Sequence, residues 1–178
     1  MDWKSIINDD WTLFLDRDGV INVRIIDGYV TKIEEFDFLP NVIEAFKIFK
    51  NKFKRIIVVT NQQGVGKGIM TNDDVVSVHN YMIQQIENHE GKIDKIYFCP
   101  QLKSVVDNYR NPSPKMAFFA KDDFPEIDLS KSIMVGDMNS DVEFGKNAGM
   151  KTVFIGVNEL KINPDSRYDS LYDFAKTL

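Results

Sequence analysis

The sequence predicts a doubly wound α/β domain, a mainly parallel sheet with helices on both faces and only loop-sized caps. Three observations predict it. Short apolar runs recur along the chain, and each ends in polar or glycine-containing sequence. The runs are rich in β-branched and aromatic residues and apolar at consecutive positions, the pattern of strands covered on both faces. Stretches with helical spacing separate them, and strands alternating with helices make βαβ units. Right-handed crossovers then place the strand C-termini along one edge, where open α/β sheets hold their ligands.

The first strand is Trp11-Thr12-Leu13-Phe14-Leu15, which stops at Asp16. The irregular residues 23–39 that follow have room for a flap and not for a second folded domain. Pro40-Asn41 open a helix whose apolar stripe is Val42, Ala45, Phe46 and Phe49. Arg55-Ile56-Ile57-Val58-Val59 is the second strand, stopping at Thr60-Asn61, with residues 62–71 irregular. Thr71-Asn72-Asp73 opens a helix with Val75, Val78, Met82 and Ile86 on one face, and Gly91 closes it. Lys95-Ile96-Tyr97-Phe98-Cys99 stops at Pro100 and leads into irregular residues 101–111. Ser113-Pro114 begins a third helix containing Met116, Phe118 and Phe119. Ser132-Ile133-Met134-Val135 ends at Gly136-Asp137, a helix runs from Asn139 to Ala148, and Thr152-Val153-Phe154-Ile155 ends at Gly156. Residues 158–167 are irregular, and Ser170 to Leu178 form the last helix. The first three irregular stretches follow strands directly and so overhang the ligand edge.

At 178 residues, with net charge −5 and a pI near 5.1, the chain is sized for one domain, residues 1–178. A hydrophobic fraction of 43% excludes an intrinsically disordered protein. The acidic balance argues against a nucleic-acid binder with a broad basic face. One cysteine, Cys99, forms neither an internal disulfide nor, alone, a cysteine-rich zinc site. The opening from Met1 to Asp10 is polar and acidic where a secretory leader is basic and then apolar. No run approaches the ~18 apolar residues of a membrane span. The expectation is a soluble, cytoplasmic, monomeric protein that partners neither membrane nor nucleic acid.

Four strand ends carry the chemistry: Asp16-Arg17-Asp18-Gly19, Thr60-Asn61, the stretch from Arg110 to Lys115, and Gly136-Asp137 with Asp141. Residues two apart on an extended chain point the same way, so Asp16 and Asp18 can serve one site. Gly19 then lets the backbone turn. Asp137, from a different strand, completes an oxygen cage whose carboxylates repel one another unless a cation neutralises them. A hard dication suits it, and Mg²⁺ typically binds through few carboxylates, waters and a phosphate oxygen. With Mg²⁺ present, one aspartate can attack phosphorus. The other can protonate the leaving oxygen and later activate water. Thr60 offers hydroxyl and amide donors to the transferring phosphoryl group.

Plainer readings stand beside these. The aspartates can be helix caps and turn formers, and Arg110 and Lys115 solvated surface cations. Gly64-Val65-Gly66-Lys67-Gly68 lacks the nucleotide-binding GxxxxGK[ST] spacing and reads as a flap, with Lys67 as a phosphate contact. His79 and His89 read as structural or solvated, and Cys99 as a buried filler.

Phe14-Leu15-Asp16-Arg17-Asp18-Gly19-Val20-Ile21-Asn22, Val59-Thr60-Asn61-Gln62-Gln63-Gly64, and Val135-Gly136-Asp137 with Asp141 resemble, in order and spacing, the haloacid dehalogenase-like (HAD) superfamily. Within it they look most like the branch of D-glycero-heptose-1,7-bisphosphate and histidinol-phosphate phosphatases. Asp-Arg-Asp-Gly-Val-Ile-Asn and the later Gly28-Tyr29-Val30 point to the heptose side. The resemblance implies a Mg²⁺-dependent phosphatase acting on a small phosphorylated metabolite. Asp16 would be the nucleophile, forming an aspartyl-phosphate, and Asp18 the general acid/base that also gives the metal its carbonyl. Asp137 would be a metal ligand and Asp141 a supporting carboxylate; Thr60 and Asn61 would bind phosphate, and Arg110 substrate.

Three departures accompany the resemblance. The motif lysine that neutralises phosphate is Asn111 here, and Lys115 is expected to reach back in its place. The basic residue often found after the metal aspartate is Met138. The zinc loop of many heptose members is reduced to Cys99-Pro100, so no structural zinc is expected. Histidinol phosphate as substrate and a phosphate-binding domain without turnover remain the alternatives. A signalling receiver domain would carry its acidic pair adjacent at the first strand, which this chain does not.

Overall fold

The computed structural model describes residues 3–178; Met1 and Asp2 of the polar opening lie outside them. Strands β1 (Thr12–Leu15), β2 (Arg55–Asn61), β3 (Lys95–Cys99), β4 (Ser132–Gly136), β5 (Lys151–Ile155) and β6 (Ser166–Tyr168) form a six-stranded sheet in the order β3-β2-β1-β4-β5-β6. Every neighbouring pair is parallel. The helices are α1 (Val42–Lys50), α2 (Asn72–Asn88), α3 (Lys115–Asp123), α4 (Asn139–Asn147) and α5 (Leu171–Ala175). Among the described residues no helix is long and apolar enough to cross a membrane.

Period-two alternation along the central strands divides the core into two layers. Leu13 and Leu15, Ile56 and Val58, and Ile133 and Val135 face one side, against Val42, Ala45, Phe46 and Phe49 of α1, Val78, Met82 and Ile86 of α2, and Leu171 and Phe174 of α5. Phe14, Ile57, Val59 and Met134 face the other, against Met116, Ala117 and Ala120 of α3 and Phe144 of α4. The α2 start is a reciprocal cap: Thr71 Oγ1 accepts from the Asp74 N–H at 3.1 Å, and Asp74 accepts the Thr71 N–H at 2.8 Å.

The structure departs from the sequence reading at the periphery. β6, Ser-Arg-Tyr, starts within the stretch read as irregular and pairs with β5; three partly exposed residues carry no apolar run to reveal it. The last helix covers only Leu171–Ala175, started by Ser170, whose Oγ accepts from the Asp173 N–H at 3.0 Å. In α3 the aromatic Phe118 and Phe119 point outward, and the small Ala117 and Ala120 pack inward with Met116. β3 is an edge strand with only Cys99 fully buried.

Candidate active site

The chain lays β1, β2 and β3 to one side and then returns to place β4 against the free side of β1, so the strand order switches between β1 and β4. Open α/β sheets leave a crevice at such a switch, beyond the strand C-termini. Leu15 and Val135 are in register there, and the Asp16 N–H continues the ladder, donating to the Val135 carbonyl at 2.9 Å. The next residues of the two strands are therefore forced together. Oxygens of Asp16, Asp137 and Asp141 lie within 4.8 Å of one another. Gly19, at φ +89°, permits this approach, because a side chain there would collide with the Asp137 carboxylate. Gly136 does the same for Asp141.

Asp141 sits in the first turn of α4, where its Oδ2 accepts from the Met138 N–H at 3.1 Å and its Oδ1 from Asn111 Nδ2 at 2.9 Å. It is 2% exposed. The Asp18 carboxylate is held by a set of donors of its own. Arg17 Nη2 donates to both its oxygens at 2.9 Å, and Asn22 Nδ2 and Gln62 Nε2 each donate to one at 2.9 Å. The Asp18 carbonyl also meets the cluster's cation, accepting from Arg24 Nη2 at 2.6 Å.

These surroundings set the charges. Burial, then the neighbouring Asp141, Asp137 and Asp18, pushes the Asp16 carboxyl well above its ordinary range, with Arg24 opposing. Burial raises Asp141 to about 6 against the Asn111 hydrogen bond, with Asp137 adding to the rise. Burial also raises Asp137, although the Arg24 hydrogen bond and charge oppose it. For Asp18, burial acts upward but is outweighed by Arg17 and the hydrogen bonds from Asn22, Arg17 and Gln62, which hold it below the ordinary value. The cluster thus carries more negative charge than its neighbours neutralise. Its donors are all oxygen, so it fits a hard dication.

Asp16, Asp18, Thr60, Asn61, Arg110 and Asp141 line one cleft of about 570 Å³, together with Arg24, Tyr29, Gln63, Lys67 and Met138. Thr60 is 1% exposed and accepts from Gln62 Nε2 at 3.0 Å. The Asn61 carboxamide is committed to Asn111, its Oδ1 accepting the Asn111 N–H at 2.9 Å and its Nδ2 donating to the Asn111 carbonyl at 3.5 Å. It ties the loop after β3 to the end of β2. Arg110 donates to Gln63 Oε1 at 3.4 Å, Gln63 to the Tyr29 hydroxyl at 3.2 Å, and Lys67 lies 5.3 Å from the Tyr29 ring centre. Three loops therefore converge over the cleft, as their positions after strands predict.

Lys115 corrects the sequence reading. It is not among the cleft-lining residues; its Nζ pairs with Asp107 Oδ1 at 2.6 Å and also reaches the Asp107 carbonyl at 3.4 Å. Asp107, in a left-handed turn at φ +61°, draws the lysine onto the outer surface of the 101–111 loop. The cation at the carboxylates is instead Arg24, which the sequence reading passed over. Its Nη2 lies 2.7 Å from Asp137 Oδ1 and 3.7 Å from Asp16 Oδ2. No motif marks it; the available signal was a lone arginine in a loop that overhangs an acidic site.

His79 is structural, as its sequence reading has it, and it supports Arg17 behind the cleft. Arg17 is fully buried, and its Nη1 lies 3.2 Å from His79 Nε2. Guanidinium only donates, so His79 accepts and is neutral. Burial, then the Arg17 charge, lowers the His79 pKa from 6.5 to about 3. The unfolded chain therefore binds a proton below the ordinary value that the fold refuses, and stability falls as pH drops through that interval. Between pH 7 and pH 5 this group is expected to cost the wild type about 2 kcal/mol. His79→Gln keeps an acceptor for Arg17 and cannot titrate. Denaturant unfolding should show the wild type losing about 2 kcal/mol relative to the variant over that interval; parallel curves would mean that His79 is not held neutral.

The chain is similar to known proteins over most of its length. A family model described as HAD-hydrolase-like matches residues 108–173. The D-glycero-α-D-manno-heptose-1,7-bisphosphate 7-phosphatase of Campylobacter jejuni is 39% identical over 153 residues, covering 86% of each chain. The enzyme of the same name from Mycobacterium tuberculosis is 36% identical over 170 residues, 93% of this chain and 90% of that one. Among solved structures, the D,D-heptose 1,7-bisphosphate phosphatase of B. bronchiseptica, complexed with magnesium and phosphate, shares the fold at TM-score 0.83 and 23% identity, over 94% of this chain and 97% of that one. The chain belongs to the haloacid dehalogenase-like superfamily. Within it the chain is a phosphatase, similar in sequence to enzymes of the heptose bisphosphate branch.

Proposed function

We propose that the protein hydrolyses a phosphate ester of a bisphosphorylated sugar of the heptose 1,7-bisphosphate type, with Mg²⁺, through an aspartyl-phosphate on Asp16. Mg²⁺ held by Asp16, the Asp18 carbonyl and Asp137, with Asp141 beside them, would supply the positive charge that lets an anionic nucleophile meet an anionic phosphate. The Asp16 carboxylate attacks phosphorus, the bond to the sugar oxygen breaks, and Asp18 protonates that oxygen. Asp18 then takes a proton from water, which attacks the acyl phosphate, releases inorganic phosphate and restores Asp16. Thr60 holds a phosphoryl oxygen at the end of β2. Arg110 and Lys67 bind the rest of the substrate.

One observation carries the choice of substrate. Lys67 and Arg110 line the cleft that holds the carboxylates, and the loops add only Asp27 against them. Two cations suit a second phosphate, whereas histidinol phosphate brings a cationic amine that they would repel. The test is phosphate release from heptose 1,7-bisphosphate, as both anomers, and from histidinol phosphate. The better heptose anomer should exceed histidinol phosphate by at least about a hundredfold in kcat/KM, or ~2.7 kcal/mol. EDTA should abolish activity and Mg²⁺, without zinc, restore it. Faster turnover of histidinol phosphate would reassign the substrate, and phosphate binding without turnover of any ester would make the protein a binding domain.

A further inference from the structure

We propose that Arg24 is an exchangeable occupant of the carboxylate cage: its guanidinium holds the cage together in the absence of a dication, gives way when one binds, and then turns to the substrate's phosphate. The inference rests on the reading of Asp16, Asp18 and Asp137 as the dication's ligands. A single nitrogen, Arg24 Nη2, meets the Asp18 carbonyl at 2.6 Å, Asp137 Oδ1 at 2.7 Å and Asp16 Oδ2 at 3.7 Å, while Nε donates to Asp137 Oδ2 at 3.2 Å. These groups come from the ends of both strands at the switch point, and they are the same groups that the proposed reaction assigns to Mg²⁺. A hard dication draws such oxygens to within ~2.1 Å of itself, so it and the guanidinium nitrogen compete for one position. Binding of the dication therefore requires Arg24 to leave.

Leaving is feasible for this side chain. Its residue lies in a stretch without helix or strand, between Asn22 and the short turn at Ile33–Glu35. The side chain is 40% exposed, and the next two residues, Ile25 and Ile26, are exposed as well. A destination exists in the same cleft. Asn111, which donates to Asp141, and Met138, which lines the cleft, are both neutral, and Lys115 is held by Asp107. Lys67 and Arg110 belong to the separate group around Tyr29 and Gln63. A planar guanidinium freed from carboxylates makes paired hydrogen bonds to phosphate equally well.

The experiment is calorimetric titration of Mg²⁺, and then of inorganic phosphate at saturating Mg²⁺, into the wild type, Arg24→Ala and Lys115→Ala. The last is a charge-matched control whose lysine does not line the cleft. Removing an internal competitor raises the apparent affinity of the other occupant. Arg24→Ala should therefore bind Mg²⁺ at least about tenfold more tightly than the wild type, and Lys115→Ala within about twofold of it. Arg24→Ala should melt below the wild type in EDTA and not in Mg²⁺. It should also bind phosphate at least about tenfold more weakly once Mg²⁺ is saturating. Mg²⁺ affinity in Arg24→Ala equal to or weaker than wild type would overturn the exchange, and unchanged phosphate affinity would overturn the second role. Absence of Mg²⁺ binding in all three proteins would overturn the metal reading itself, and this proposal with it.

Discussion

Asp16→Asn is expected to lower kcat by at least about a thousandfold, or ~4 kcal/mol of barrier, while the protein stays folded. The carboxamide nitrogen and oxygen are poor nucleophiles, so the acyl phosphate cannot form. The variant should nevertheless be at least as stable as the wild type in EDTA. Asp16 is buried beside Asp141 and Asp137, and its raised pKa means that its negative charge is unwelcome there. Asparagine removes that charge and keeps the shape. Loss of activity with an unchanged or higher melting temperature separates a missing nucleophile from a damaged fold. Mass spectrometry after rapid mixing with substrate supplies the second check, since a phosphoryl adduct should appear on the wild type and not on the variant. Retention of more than about a tenth of wild-type kcat would rule Asp16 out as the nucleophile.

What the sequence made legible follows burial. β1, β2 and β4 lie inside the sheet and are covered on both faces, so their runs Thr12–Leu15, Arg55–Asn61 and Ser132–Gly136 are apolar enough to read directly. β6 lies at the margin, where three residues are too few for a period to register, and the last helix, legible from Ser170 onward, is shorter than its reading to Leu178. In the site, Asp16 and Asp137 were legible because backbone register alone brings their strand ends together. The destination of long side chains was not. Lys115 and Arg24 both carry a cation on a flexible stem, and which one meets the carboxylates depends on loop conformation: Asp107 captures the first, and the turn after Asn22 delivers the second. The Arg17–His79 contact spans 62 residues of sequence and joins the turn after β1 to α2, a pairing that local patterns do not encode.

Asp18→Asn should slow turnover of the sugar phosphate by ~10²–10⁴-fold, the range a positioned acid/base supplies, and the loss should depend on the leaving group. Arg17, Asn22 and Gln62 all stabilise the charged Asp18 carboxylate, which makes it a better base than acid. Its work as an acid is hardest where the departing oxygen is a sugar alkoxide, which cannot leave without a proton. An aryl phosphate leaves unaided, so Asp18→Asn should still transfer its phosphoryl group to Asp16. It should then stall, because no base activates water. The expected record is a burst of about one equivalent of phenolate followed by a slow steady state, against a burst-free turnover of the sugar ester slowed by that ~10²–10⁴-fold. The substitution also leaves the guanidinium of Arg17, which is fully buried, without its counter-charge. Breaking a buried pair in this way costs about 3–5 kcal/mol, so the burst must be measured below the lowered melting temperature. Equal slowing of aryl and sugar esters, with no burst, would show that Asp18 positions the phosphate and does not move protons.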